Sequence, residues 1–145
     1  MQRSWDEFVA RSRNATFLHY RDYMDYHSDR FHDHSLIFLS DKGKIVALLP
    51  ANAAGETLYS HQGLTYGGML VSMKSTAKEV IEAFRLLTDY AKEQGFKKII
   101  YKPVPSLYHR YPCEEDLYAL FYATHSALEC RNISSVIDFR QPLTW

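Results

Sequence analysis

The chain has 145 residues, 46% hydrophobic and 23% charged, which fits one globular domain with a single substantial core. Seventeen Lys plus Arg balance seventeen Asp plus Glu, so the formal charge is zero, and no global field draws in nucleic acid or an anionic membrane. No apolar run reaches the roughly twenty residues that span a bilayer, and Met1-Gln2-Arg3-Ser4-Trp5-Asp6 has no signal-peptide apolar region, so the expected location is cytoplasmic.

Ser4-Trp5-Asp6-Glu7 reads as a capping box opening a first helix, with Trp5, Phe8 and Val9 on its apolar face. Asn14-Ala15-Thr16 interrupts the pattern. Phe17, Tyr20 and Met24 then recur at helical spacing through Tyr26, giving a second helix and a helical hairpin. From His34 the period shortens: Leu36–Leu39 and Ile45–Leu49 are strands joined by the turn Asp41-Lys42-Gly43-Lys44. Pro50 to Gly55 forms a loop, Glu56 to Ser60 starts another strand, and Met69 to Ser72 resumes it.

Thr76 with Glu79 makes a second capping box for a helix lined by Val80, Phe84, Leu87 and Ala91 and closed by Gly95. Lys98 to Lys102 reads as a buried strand ended by Pro103 and Pro105. Pro112 precedes a further helix, with Glu114, Glu115 and Asp116 in its first turn and Leu117, Leu120, Phe121 and Leu128 expected to point inward. A last strand is expected over residues 135–139. The order fits an α/β fold in three layers, a mixed and largely antiparallel sheet between helices, over a single domain 1–145.

Chemistry concentrates in Ser60-His61-Gln62-Gly63-Leu64-Thr65-Tyr66-Gly67-Gly68, a polar, glycine-rich segment where a central strand should pass. Its glycines let a backbone or ligand approach closely, which is equally the signature of a bulged strand with a tight turn. On the functional reading His61 is a general base and Tyr66 an acid, and the Gly67 and Gly68 amides form an anion site beside Ser60. Tyr108 and His109, beyond a strand's C-terminal end, would line an acceptor pocket, and Lys102 would meet a carboxylate or phosphate. Lys102 snorkelling from a strand end accounts for it without function.

His27, His32, Asp33 and His34 are the densest run of metal-ligating types, but exposed histidines between a helix and a strand explain them, and no metal is expected. Cys113 and Cys130 show no metal or redox spacing, so both are expected to be reduced thiols; His109 is the one base near Cys113 in sequence. Eleven tyrosines in a chain this size, among them Tyr20, Tyr23, Tyr26, Tyr108, Tyr111 and Tyr118, offer faces for sugars or for a domain or dimer interface.

The element order, with Tyr26-His27-Ser28-Asp29-Arg30-Phe31, the Ser60–Gly68 segment, Pro105-Ser106-Leu107-Tyr108-His109 and Pro112 through Tyr118, resembles the GCN5-related N-acetyltransferase superfamily, closest to the N-terminal domain of Fem-like bacterial acyltransferases. The resemblance spans essentially the whole chain. It implies transfer of an acyl or aminoacyl group from an acyl-CoA such as acetyl-CoA, or from tRNA as donor, to an amine on a sugar or cell-wall peptide. Fem-type proteins often pair two such domains, so the resemblance leaves two alternatives, one half of a pair with a second GNAT-like domain or homodimer partner, and a divergent single domain.

The family's acetyltransferases hold the donor pyrophosphate on a Gln/Arg-x-x-Gly-x-Gly/Ala loop before a helix. Here Val71-Ser72-Met73-Lys74-Ser75 precedes the long helix, with no glycine between Gly68 and Gly95. The alternative reading is therefore a non-catalytic acceptor-binding or scaffolding module of the same fold.

Overall fold

The structure, a computed structural model, describes residues 2–26, 28–133 and 135. Helix α1 (Gln2–Arg11) begins ahead of Ser4, so Ser4 lies inside its first turn and is not the N-cap; Glu7 is paired with Arg3 at 3.0 Å. The second helix divides into a single turn (Phe17–His19) and α2 (Arg21–Asp25), because Tyr20 takes extended angles between them. The indole Nε1 of Trp5 donates to the His19 carbonyl at 2.8 Å, tying that turn to α1.

Strands β1 (His32–Asp33), β2 (Leu36–Leu39), β3 (Ile45–Leu49) and β4 (Asn52–Ala54) are one long hairpin broken at Ser35 and Pro50. Proline has no N–H to continue the ladder. The gap is bridged instead by the His34 amide donating to the Ala51 carbonyl and the Ala51 amide donating to Ser35 Oγ. β5 (Thr57–Tyr59) pairs with β4, β6 (Leu70–Val71) pairs with β3, and β7 (Lys98–Ile100) lies parallel to β5. The ladders therefore run β1-β4-β5-β7 and β2-β3-β6, and β5–β7 is the parallel pairing in an otherwise antiparallel arrangement.

Alternation along the strands separates two cores. Phe38, Ala47, Leu49, Met69 and Val71 face α3 (Ala77–Glu93) and α4 (Glu115–Thr124), whose Val80, Phe84, Leu87 and Ala119 complete the first core. Leu48 and Leu70 point the other way, onto Trp5, Val9, Leu18 and Met24 of the N-terminal helices. Helices, sheet and helices thus form three layers, a mixed α/β architecture. The capping box of α3 forms as the spacing implies: Glu79 N–H donates to Thr76 Oγ1, and Thr76 N–H donates to Glu79 Oε2.

The inward face of α4 differs from the expected one. Asp116 and Ala119 are buried, while Phe121 and Leu128 are exposed, and the helix ends at Thr124 with His125 at φ +52°. The Tyr101 hydroxyl sets this phase by donating to Asp116 Oδ2 at 2.7 Å while accepting from the Met69 amide at 2.6 Å. Burial raises both the Tyr101 and Asp116 pKa values, and the bond between them offsets part of that effect for Asp116. The expected strand over 135–139 lies, apart from Ser135, outside the described residues.

Candidate functional site

Residues 60–68 leave the sheet after β5 and return before β6 as a closed loop. At its start the Ser60 amide donates to the Ile100 carbonyl, and Ser60 Oγ accepts from the Lys102 amide at 2.7 Å. At its end the Gly67 amide donates to the Lys102 carbonyl at 3.2 Å. Both ends of the loop therefore clasp the short stretch that continues β7, and they touch each other: a Cβ on Gly67 would sit 1.9 Å from the Ser60 carbonyl oxygen. This is the compact neck of an Ω-type loop. Gly68, at φ +72°, turns the chain out of the neck against the Lys102–Val104 backbone.

The loop's side chains fill the second core. Leu64, Tyr66 and His61 are buried, His61 at φ +64° with its ring edge-on to Phe31 at 5.9 Å. Tyr66 is stacked on Tyr108 at 5.3 Å and its hydroxyl donates to Thr16 Oγ1 at 3.4 Å. Lys102 Nζ donates to the Leu64 carbonyl at 2.6 Å, and burial lowers its pKa. Gln62 is held at both ends of Asn52: its amide donates to Asn52 Oδ1 at 2.7 Å and its Oε1 accepts from Asn52 Nδ2 at 2.8 Å.

The residues marked in the sequence thus divide into two groups. Ser60, His61, Tyr66, Gly67, Gly68 and Lys102 come together: polar atoms of Ser60, Tyr66, Gly67 and Lys102 close and fill the loop, and the His61 ring packs against Phe31. Tyr108 and His109 lie beyond it. Tyr108 is half-exposed and covers Tyr66; His109 Nε2 donates to the Val104 carbonyl at 3.0 Å, which leaves Nδ1 facing Cys113 Sγ at 3.6 Å.

That thiol–imidazole pair has the orientation of a nucleophile and base but the wrong charge balance. Burial, Glu115 and Asp116 push the Cys113 thiol up to about 11, so it stays protonated. Against an ordinary thiol at 9.0, a rise of that size cuts the thiolate fraction near neutral pH about a hundredfold. Iodoacetamide at mildly alkaline pH should therefore label exposed Cys130 first and Cys113 far more slowly. Equal labelling rates, read by peptide mass spectrometry, would contradict this account.

Three residues with no marked role in the sequence organise the region. Asn14, fully buried, acts as a side-chain strand: Nδ2 donates to the Met69 carbonyl at 2.9 Å and Oδ1 accepts from the Val71 amide at 3.0 Å, covering the free edge of β6. His19 is buried against the loop, and Nδ1 accepts from the Thr16 amide at 2.9 Å. Arg13 reaches Glu115 at 2.5 Å and the Met73 and Ser75 carbonyls, joining the N-terminal layer to α4.

The helix whose leading residues lack the glycine loop for a donor pyrophosphate is α3. Its leading residues bond to one another: the Ser72 amide donates to Ser75 Oγ, the Lys74 amide to Ser72 Oγ and the Thr76 amide to the Glu79 carboxylate. A carboxylate of the chain itself already occupies this helix end, where an anion would otherwise be favoured.

Among the histidines before the hairpin, Asp33 is paired with Arg21 and Ser35, His34 Nε2 lies 2.7 Å from the Tyr90 hydroxyl, and His27 is outside the described residues. No group of three metal-ligating side chains occurs among the described residues. No helix among them is long and apolar enough to cross a membrane.

Open space lies elsewhere. Two shallow, open cavities of about 620 and 570 Å³ lie along α4 and share Glu114 and Tyr118 in their linings. Cys113, Ser106 and Glu115 line one; Leu117, Phe121 and Tyr122 line the other. No protein-family model, curated protein or solved structure matches this chain. The class the structure itself defines is a three-layered mixed α/β domain with a closed loop between β5 and β6.

Proposed function

We propose that the chain is an acyltransferase-like domain that assists acyl transfer by binding the amine acceptor, with donor binding and chemistry supplied elsewhere. One observation carries this reading: the α3 N-terminus is capped by Glu79 while the open groove lies along α4. His61, Tyr66 and Lys102 support the same division, because their positions close a loop and are not turned toward that groove's lining.

The test is isothermal titration with acetyl-CoA and a longer acyl-CoA, in the wild-type chain and in His61→Asn. Asparagine is chosen because it tolerates the left-handed backbone that His61 adopts. No saturable heat in a folded sample is the expected result. Saturable binding, lost in His61→Asn, would establish the second reading, a complete acyltransferase whose donor site adjoins the loop. That reading is favoured by the positive φ at His61, a conformation that concentrates at functional positions.

A further inference from the structure

His19 sits between its own helical turn and the loop at 60–68, with no exposed surface. The turn pins one side: the Trp5 indole holds the His19 carbonyl at 2.8 Å, and Nδ1 accepts from the Thr16 amide at 2.9 Å. A neutral ring that accepts at Nδ1 carries its proton on Nε2, and that buried N–H has no hydrogen-bond acceptor among the described residues. The loop covers the other side. Tyr66 lies 6.0 Å away, ring to ring, and its hydroxyl donates to Thr16 Oγ1, itself 3.4 Å from Nδ1.

A second proton can enter only at Nδ1, where the Thr16 amide already points, so donor would face donor. The surrounding groups offer no relief. From the loop they are the Tyr66 phenol and His61, whose own charge would repel the imidazolium; α1 reaches the turn through the uncharged Trp5, and Thr16 is a hydroxyl. No carboxylate bonds either ring nitrogen among the described residues. The Tyr66 and Gly67 backbone attracts the charge, but less than the loss of water disfavours it. Water must therefore reach a charged ring, and the loop is the side able to yield. Its attachment is the narrow neck, where Ser60 and Gly67 bond to the backbone of Ile100 and Lys102.

We propose that His19 is an acid-operated latch on this loop: neutral, it holds residues 60–68 closed, and protonated, it releases the neck while the sheet and α3 stay folded. Release bares Leu64 and Tyr66, which the closed neck keeps in the second core. The latch requires no role in acyl transfer.

Amide hydrogen exchange of the wild-type chain at pH 7 and pH 5, followed by NMR in urea below the unfolding transition, tests it. With the intrinsic pH dependence of exchange removed, the opening constant of the Gly67 and Lys102 amides should rise about twentyfold on acidification, the factor implied by a pKa lowered from 6.5 to about 4. Low urea should leave that constant unchanged, because a local opening exposes little surface, whereas the α3 amides should be better protected at both pH values and follow urea. His19→Asn should lack the rise. Equal loop opening at the two pH values would overturn the latch, as would loop amides that follow urea in step with α3. Both of those outcomes are read on the wild-type chain alone; a rise in His19→Asn matching the wild type's would overturn the assignment to His19.

Discussion

Gly67→Ala should destabilise the protein by about 3 kcal/mol or more, among the largest effects a single methyl group can have. The added Cβ would lie 1.9 Å from the Ser60 carbonyl oxygen and 2.8 Å from its carbon, and both are backbone atoms that no rotamer change can move aside. Relief requires the neck of the loop to open. Opening separates the Gly67 amide from the Lys102 carbonyl and strains the Lys102 amide bond to Ser60 Oγ, and Leu64 and Tyr66 are drawn from the second core. Gly63→Ala is the control, because its new Cβ meets side chains and no backbone, the Phe31 ring at 2.7 Å and His61 Cε1 at 3.2 Å, and should cost about 1 kcal/mol. Urea midpoints of the two variants measure the difference. Equal midpoints would mean that the neck is not closed as described.

That prediction also shows what the sequence could and could not reveal about residues 60–68. The glycines signalled a close approach of backbone, and backbone is what Gly67 meets. The polar residues among them suggested a catalytic cluster, because nothing local reveals that Ser60 Oγ and Lys102 Nζ have partners forty residues away in sequence. The β2–β3 strands and the α3 capping box were legible since two apolar runs flanking Asp41-Lys42-Gly43-Lys44 and a Thr-x-x-Glu signal are local.

α4 was not. Apolar residues occur all around it, so periodicity fixes no inward face, and the Asp116–Tyr101 bond that fixes the face is a tertiary contact. Its consequence is an open aromatic face: Tyr118, Phe121 and Tyr122 turn outward and line a cavity. Asn14 was equally hidden, since an Asn between two helical patterns reads as a break. Its role as a substitute strand for β6 appears only once the N-terminal layer is laid on the sheet.

His19 should make the folded state acid-sensitive in a defined window. Burial lowers its pKa from 6.5 to about 4; the backbone of Gly67, Thr16 and Tyr66 pulls the other way, and His61 adds a smaller unfavourable charge. The unfolded chain therefore binds a proton at this site between those values while the folded chain does not, so stability present above 6.5 is lost as pH falls toward 4. The shift corresponds to about 3 kcal/mol at its full extent. Asp116 runs in the opposite sense, because its raised pKa favours the folded state on acidification, so the wild-type profile alone reports a difference. His19→Asn isolates the histidine: the amide oxygen can replace Nδ1 as acceptor for the Thr16 amide, but it cannot titrate. Chemical denaturation of both proteins at pH values spanning the window should show the wild type losing about 3 kcal/mol more than the variant. Parallel profiles would show that His19 is charged inside the fold, and that the core beside the loop holds the proton it is here assigned to exclude.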